Sequence, residues 1–340
     1  MKAFAHLLLL FSLTSYSIQA QQGTIMTVNG PIPSSEMGLS LIHEHVLVDF
    51  IGAEETGKHR WDENEVIAVV QPFLDEIKAL GVRTLVECTP AYLGRDVQLL
   101  KRLSATSGVQ IITNTGYYGA SDNKYLPPQA YSESAEQLAS RWIKEAKEGI
   151  DGTGIRPGFI KTGVNGESLS ALHAKLIKAA AKTHLETGLV IASHTGPGLP
   201  AFEQMAILEK EGVDAAAFIW VHAQGEPDLD MHVKAAKKGA WISLDGLDNS
   251  NLEQYLRMLR NLKEQGFLHR TLLSHDAGWY SPDEDNGGEF RDYTVLLKDF
   301  IPLLTQQGWT QKEIQQILVI NPRNAFEIKV QRISSEQSKK

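Results

Sequence analysis

The stretch LIHEHVLVDF, residues 41–50, sets His43 and His45 two apart inside an apolar run. On a strand, residues i and i+2 point to the same face, so both imidazoles are aimed at one place. Other groups able to hold a cation or move a proton end further apolar runs: Lys161 in GFIKTG, His194 in VIASHTG, His222 in IWVHAQ and Asp276 in LLSHDAG. Taken singly, a histidine ending a strand is ordinarily a hydrogen-bonded core residue, and Asp276 would serve as a helix cap. Taken together, four imidazoles and a carboxylate at one strand level are costly to bury without a common partner. That donor set suits zinc, with cobalt, manganese or iron as alternatives.

Lys161 is the odd member, because an ammonium is repelled by a dication. Two outcomes are physically reasonable. A lysine desolvated near cations has a depressed pKa, and its neutral amine then reacts with carbon dioxide to give a carbamate able to bridge two metals. Otherwise it stays cationic and binds an anionic substrate group.

The elements that must position these groups are legible from their stop signals. Helix-like segments end at Gly81, Gly108, Gly149, Gly188, Gly212, Gly239, Gly266 and Gly308, and glycine past a helix adopts the left-handed conformation without a Cβ penalty. Between them lie LSLIHEHV, VRTLVECT, VQIITNT, RPGFIKTGV, LVIASHT, AAAFIWVHA, AWISLDG and TLLSHDA. Near-continuous apolar runs alternating with amphipathic helices indicate parallel strands buried on both faces, and eight such units fit an α/β (β/α)8 TIM barrel of one domain, residues 21–330. A doubly wound open sheet would bring a glycine-rich phosphate turn after an early strand, and none is visible. In the barrel all six candidate ligands fall at the C-terminal rim, where active sites form. Residues 21–38 read as a hairpin turned at Asn29-Gly30 that closes the floor, and 331–340 as a flexible polar tail.

The first 20 residues have the make-up of a signal peptide: Lys2, an apolar core from Leu7 to Leu13, and Ala20 at the cleavage point. The apolar run is too short to span a bilayer, so the expectation is an exported protein, most simply periplasmic. The formal charge is −8, which argues against nucleic acid or an anionic membrane as partner. Cys88 is the only cysteine, so no intrachain disulfide forms.

The motifs TVNGPIPSSEMGLSLIHEH, LGRDV, GFIKTG, SHTGPG, LLSHDAG and INPRNAF, spread over nearly the whole mature sequence, together resemble the phosphotriesterase-like family of the amidohydrolase superfamily. The resemblance implies a binuclear centre. His43, His45 and Asp276 would hold the more buried ion and His194 with His222 the more exposed one, with N6-carboxylated Lys161 and a hydroxide bridging both. It implies hydrolysis by attack of that hydroxide, with Asp276 accepting its proton. SHD at 274–276 is not a catalytic triad, since neighbouring strand residues point to opposite faces. His275 and Glu44 therefore belong outside the metal set.

The substrate is less legible. Tyr117 and Tyr118 follow the third strand, and Trp279 with Tyr280 the eighth. Aromatic walls suit an apolar or planar group, and Tyr118, Trp279 and Tyr280 are the candidate substrate contacts. Tyr118 aligns with a tyrosine lining the metal site in the family's lactonase branch. Two departures weigh against an acyl-homoserine-lactone preference: Gly246 stands where that branch often has arginine, and the loop after Asp276 is brief. The expected enzyme cleaves a small-molecule phosphotriester, lactone or carboxylic ester, and a homodimer is compatible with it. The alternatives are an amidohydrolase or phosphodiesterase on the same site, or a non-catalytic exported barrel that binds metal or ligand.

Overall fold

The structure, a computed structural model, describes residues 23–333. The segment read as a signal peptide lies outside the described residues. The chain enters through a hairpin of β1 (Thr24–Thr27) and β2 (Gly30–Pro33), with Thr27 opposite Gly30. Its two-residue turn is therefore Val28–Asn29, one residue earlier than the Asn29-Gly30 pair. Gly30 opens the second strand at φ +112, a conformation that favours glycine.

Next come β3 (Ser40–Leu47), β4 (Thr84–Glu87), and β5 (Gln110–Ile112), which resumes after Thr113 as β6 (Asn114–Thr115). They are followed by β7 (Phe159–Gly163), β8 (Ile191–His194), β9 (Phe218–Val221), β10 (Trp241–Leu244), β11 (Thr271–Leu273) and β12 (Gly278–Tyr280). Every pairing between these strands is parallel, β3–β4–β5 and then β6 through β11 in order. β5 and β6 are two pieces of one stave, and β11 and β12 two pieces of another. β12 lies parallel to β3, and the bonds Asp276 N–H to His43 O (3.0 Å) and His45 N–H to Ala277 O (2.9 Å) carry the ring across the join. The result is the eight-staved TIM barrel.

Helices separate the staves for reasons visible in the sequence. Glu63–Ala79 starts on Asp62, whose carboxylate accepts the N–H of Asn64 and Glu65, and it buries Val66, Val70, Leu74 and Ile77 as one stripe. Ala135–Glu148 starts on a capping box between Ser134 and Gln137. The expected glycine stops all have positive φ, from +69 at Gly108 to +107 at Gly239. Asn321 of INPRNAF donates to the carbonyls of Leu268 and Thr271, tying the C-terminal helical stretch to β11.

The barrel interior has an apolar lower half and a polar upper rim. Ile42, Val86, Ile112, Phe159, Ile219 and Trp241 fill the lower half, with Ile25, Met37 and Phe326 as its floor. β3 carries the exception that builds the site. Its pairing with β4 slips between Leu41 and Glu44, giving it one residue too many, a β-bulge. Ile42 belongs to the interior, and His43 directly after it also faces the cleft above. At the other end of the chain, Gln331 O accepts Asp214 N–H and Ile333 N–H donates to Gly212 O. The segment read as a flexible tail thus begins on anchored residues; 334–340 lie outside the described residues.

Candidate metal centre

His43, His45, Lys161, His194, His222 and Asp276 all line one cleft of about 90 Å3 at the C-terminal rim. His43 and His45 are 1% and 8% exposed, whereas His194 and His222 are partly exposed. Ring centroids lie 5.4 Å apart for His43–His45, 5.0 Å for His43–His222 and 4.4 Å for His194–His222. His222 and Asp276 take left-handed backbone conformations, φ +60 and +55, at the points where β9 and β11 end. Such conformations cluster at functional sites because the surrounding structure must hold them.

The tautomers follow from Asp245. It is fully buried on β10's inner side, and its carboxylate accepts from His43 Nδ1 (3.0 Å) and His222 Nδ1 (2.7 Å). A carboxylate can only accept, so both Nδ1 atoms carry hydrogen and both Nε2 atoms turn lone pairs to the cleft. Those Nε2 atoms meet Asp276, at 3.5 Å from His43 to Oδ1 and 3.9 Å from His222 to Oδ2. His45 Nε2 is 3.0 Å from the same Oδ1. One ligand atom each from His43, His45 and Asp276 lies within 4.8 Å of the others. Ligand-type atoms converging at that distance in a buried place suit a shared cation, and the nitrogen and oxygen set is one that zinc takes.

Charge distribution agrees. Burial holds His43 down to about 4, with Lys161 adding to the effect against Asp245 and Asp276. Burial, with His222 beside it, holds His194 well below the ordinary imidazole value. His222 is the exception: burial opposes its charge, but Asp245 and Asp276 together outweigh it and raise the imidazole above its ordinary value. Burial also opposes charge on Asp276, yet His43 and His45 hold it well below the usual carboxylate range. Neutral imidazoles and an ionised carboxylate are the forms a metal binds. Lys161 Nζ lies 3.2 Å from His43 Nε2, within the donor set.

The candidate substrate contacts separate. Tyr118 lines the cleft, with its hydroxyl 3.1 Å from His194 Nδ1, and Gly163 makes room for its ring: a Cβ there would stand 2.7 Å from Cδ2. Trp279 also lines the cleft, edge-on to His45 at 6.0 Å. Tyr280, next along β12, points the other way and packs over Gly287, outside the cleft. Tyr117 likewise turns from Tyr118, against Trp142 and Tyr92. At Gly246 a Cβ would meet Gln224 Nε2 at 2.7 Å and the Tyr255 hydroxyl at 3.1 Å, so the glutamine amide would have to move for any side chain there.

Glu44 and His275 stand apart from the ligands, bonded to each other at 2.7 Å. Three contributors escaped the sequence reading. Asp245 ends AWISLD on the same alternation as Trp241 and Ser243, and an acid at rim level was the available signal. Phe50, 42% exposed, stands at the mouth edge-on to Trp279. Arg291 donates to Asp276 O (3.0 Å) and covers Trp279 at 5.5 Å, and nothing local in the sequence marks it.

The family model described as the phosphotriesterase family matches residues 23–326. The chain belongs to the phosphotriesterase family. Family members are metal-dependent hydrolases, and the donor set fits that chemistry. The phosphotriesterase homology protein of Escherichia coli is 31% identical over 85% of this chain and 98% of its own length. The N-acetyltaurine hydrolase of Salmo salar is 26% identical, covering 90% and 98%. A solved mutant of organophosphorus hydrolase from Deinococcus radiodurans superposes with a TM-score of 0.80 at 27% identity, covering 91% and 98%.

Proposed function

We propose that this member of the phosphotriesterase family is a binuclear metal hydrolase that cleaves an uncharged ester: a phosphotriester, lactone or carboxylic ester. The observation that carries the reading is the convergence of His43, His45 and Asp276 ligand atoms within 4.8 Å, with the far nitrogen of His43 committed to Asp245. His43, His45 and Asp276 would hold one ion, His194 and His222 the other, and Lys161, carboxylated on Nζ, both. Zinc suits these donors best. Two such ions supply a Lewis acid and lower the pKa of water enough to provide a nucleophile near neutral pH.

The chain's own residues do the rest. Asp276, kept anionic by its histidine neighbours, accepts the proton released as the nucleophile adds. Its depressed pKa also makes the protonated form short-lived, so the proton passes on. Val48, Leu93 and Trp279 form an apolar wall for the substrate's non-reacting part. Tyr118 presents a hydroxyl that burial keeps protonated, able to donate to substrate oxygen. Lys161 is the only lysine or arginine among the described residues of the cleft. With Lys161 carboxylated, an anionic phosphodiester would find no lysine or arginine in the cleft to pair with beyond the metal ions themselves, which favours the uncharged ester. Amide hydrolysis on the same site is the second reading, supported by the N-acetyltaurine hydrolase relative. Residues 1–20 are read as an export signal to the periplasm, which N-terminal sequencing of the mature protein checks.

Elemental analysis paired with a panel of aryl ester, lactone, aryl phosphotriester and N-acyl amide tests the reading. Turnover lost on chelation and restored by zinc is expected; metal without any turnover would leave only the non-catalytic barrel. Lys161→Ala should lose metal and activity, and a short carboxylic acid should restore part of both. Wild-type metal content in that variant would remove the bridging role.

A further inference from the structure

Asp245 fixes the tautomers of His43 and His222, but it does not reach His45. The outer nitrogen of that ring, Nδ1, lies instead 2.8 Å from Thr89 Oγ1. Thr89 follows directly on β4, two residues after Glu87, so both side chains leave the stave on the same side while Cys88 between them lines the cleft. Glu87 is 1% exposed. Its Oε1 accepts Val46 N–H at 3.2 Å, and burial raises the pKa of its carboxyl, an effect opposed by His45 and by the hydroxyl and N–H of Thr89. Its Oε2 is buried without a hydrogen-bond partner. Asn114 Nδ2 donates to the carbonyls of both Glu87 (3.1 Å) and Thr89 (3.0 Å), so β6 holds the segment in place.

A threonine hydroxyl has one proton to give and lone pairs to receive. If Oγ1 accepts the Nδ1–H of His45, its own proton needs an acceptor, and the Glu87 carboxyl, one oxygen of which is unpartnered, is the acceptor beside it. The order of groups is then imidazole, hydroxyl, carboxylate, each donating to the next. We propose that Thr89 and Glu87 form a relay that fixes His45 with hydrogen on Nδ1, leaving Nε2 as a lone pair for metal beside Asp276. Glu87 is a positioning residue that acts through Thr89, and it gives His45 the outer carboxylate that Asp245 gives His43 and His222. Such outer partners orient a ligand ring and raise its basicity. The relay rests on the reading that the cleft binds divalent metal.

The test uses the zinc-loaded full chain. In the wild type, the His45 Nδ1–H should appear by NMR as a downfield imidazole proton protected from solvent exchange. Thr89→Val keeps the shape and removes the hydroxyl. It should abolish that protection and speed zinc release to a chelator roughly 10- to 100-fold. Thr89→Ser should restore both, and Glu87→Gln should fall between, because its amide oxygen still accepts. If Thr89→Val does not fold, faster release from Glu87→Gln with wild-type release from Thr89→Ser supports the relay. Wild-type release and protection in both Thr89→Val and Glu87→Gln, or in Glu87→Gln alone where valine does not fold, would overturn it. A wild type that takes up no zinc overturns the metal reading itself, a result distinct from the relay's own failure.

Discussion

Two buried carboxylates each bind imidazole in this barrel, and they lead to opposite outcomes. Glu44 and Asp245 are both fully buried, and both accept an Nδ1–H at 2.7 Å, from His275 and His222 respectively. The difference lies at the other nitrogen. His275 Nε2 accepts Leu296 N–H at 2.9 Å, so its hydrogen-bonding capacity is complete within the protein. His222 turns Nε2 toward Asp276, which has no proton to offer at neutral pH, and His43 Nε2 meets Asp276 and Lys161, both members of the candidate ligand set. Glu44 adds Ser274 Oγ and Ala277 N–H to its set and joins β3 to the stave beside it. Identical side-chain chemistry thus makes a staple in one place and a ligand set in the other.

The comparison is broken most directly at its two acids. Asp245→Asn cannot accept from both imidazoles in the same way, and each mis-set ligand costs metal affinity about 10- to 100-fold. Zinc content should fall and kcat/KM should drop by at least about 100-fold; an Asp245→Asn protein with full zinc would end the distinction. Glu44→Gln should do the reverse. Urea unfolding should show a loss of about 2 kcal/mol from a weakened buried network, with zinc per chain unchanged. A large zinc deficit in Glu44→Gln would place both acids in one class.

Acid sharpens the contrast. His43 has a folded-state pKa of about 4 against 6.5 unfolded, so between those values protons prefer the unfolded chain and stability falls as pH falls. Burial lowers His194, His184 and His232 as well. His222, raised by Asp245 and Asp276 against its burial, contributes in the opposite sense, stabilising below 6.5 and fading as pH rises through its folded value. Metal-free protein should therefore lose stability on the order of 1 kcal/mol or more between pH 7.5 and 5.5. A flat profile would mean that the folded and unfolded chains bind protons equally over this range. The smallest effect separates neighbours on β12: Trp279→Ala should raise KM roughly fivefold through loss of an aromatic wall. Tyr280→Ala should leave KM alone. Equal KM changes would put Tyr280 in the cleft after all.

Much of this was legible in the chain. The eight staves announced themselves because helix-stopping glycines must take positive φ, and because parallel strands buried on both faces read as continuous apolar runs. The six ligand-type residues could be grouped because the fold brings all strand ends to one rim. What stayed hidden depends on contacts between distant segments. The slip that lets Ile42 and His43 both face inward is invisible in LIHEHV. Adjacent tyrosines at 117 and 118 look alike until the backbone sends one outward. The approach of Thr89 to His45 needs two neighbouring staves in register, which spacing alone does not supply.

The approach of β12 to β3 has a consequence for how such enzymes diverge. Gly278 has φ +100, and a Cβ there would stand 1.8 Å from His45 O. No other amino acid fits without prying the two backbones apart, and that would carry Asp276 away from His43 and His45. Diversification of the eighth loop must therefore begin beyond this hinge, among residues 281–290, where new specificities can be tried while the reacting centre keeps its shape.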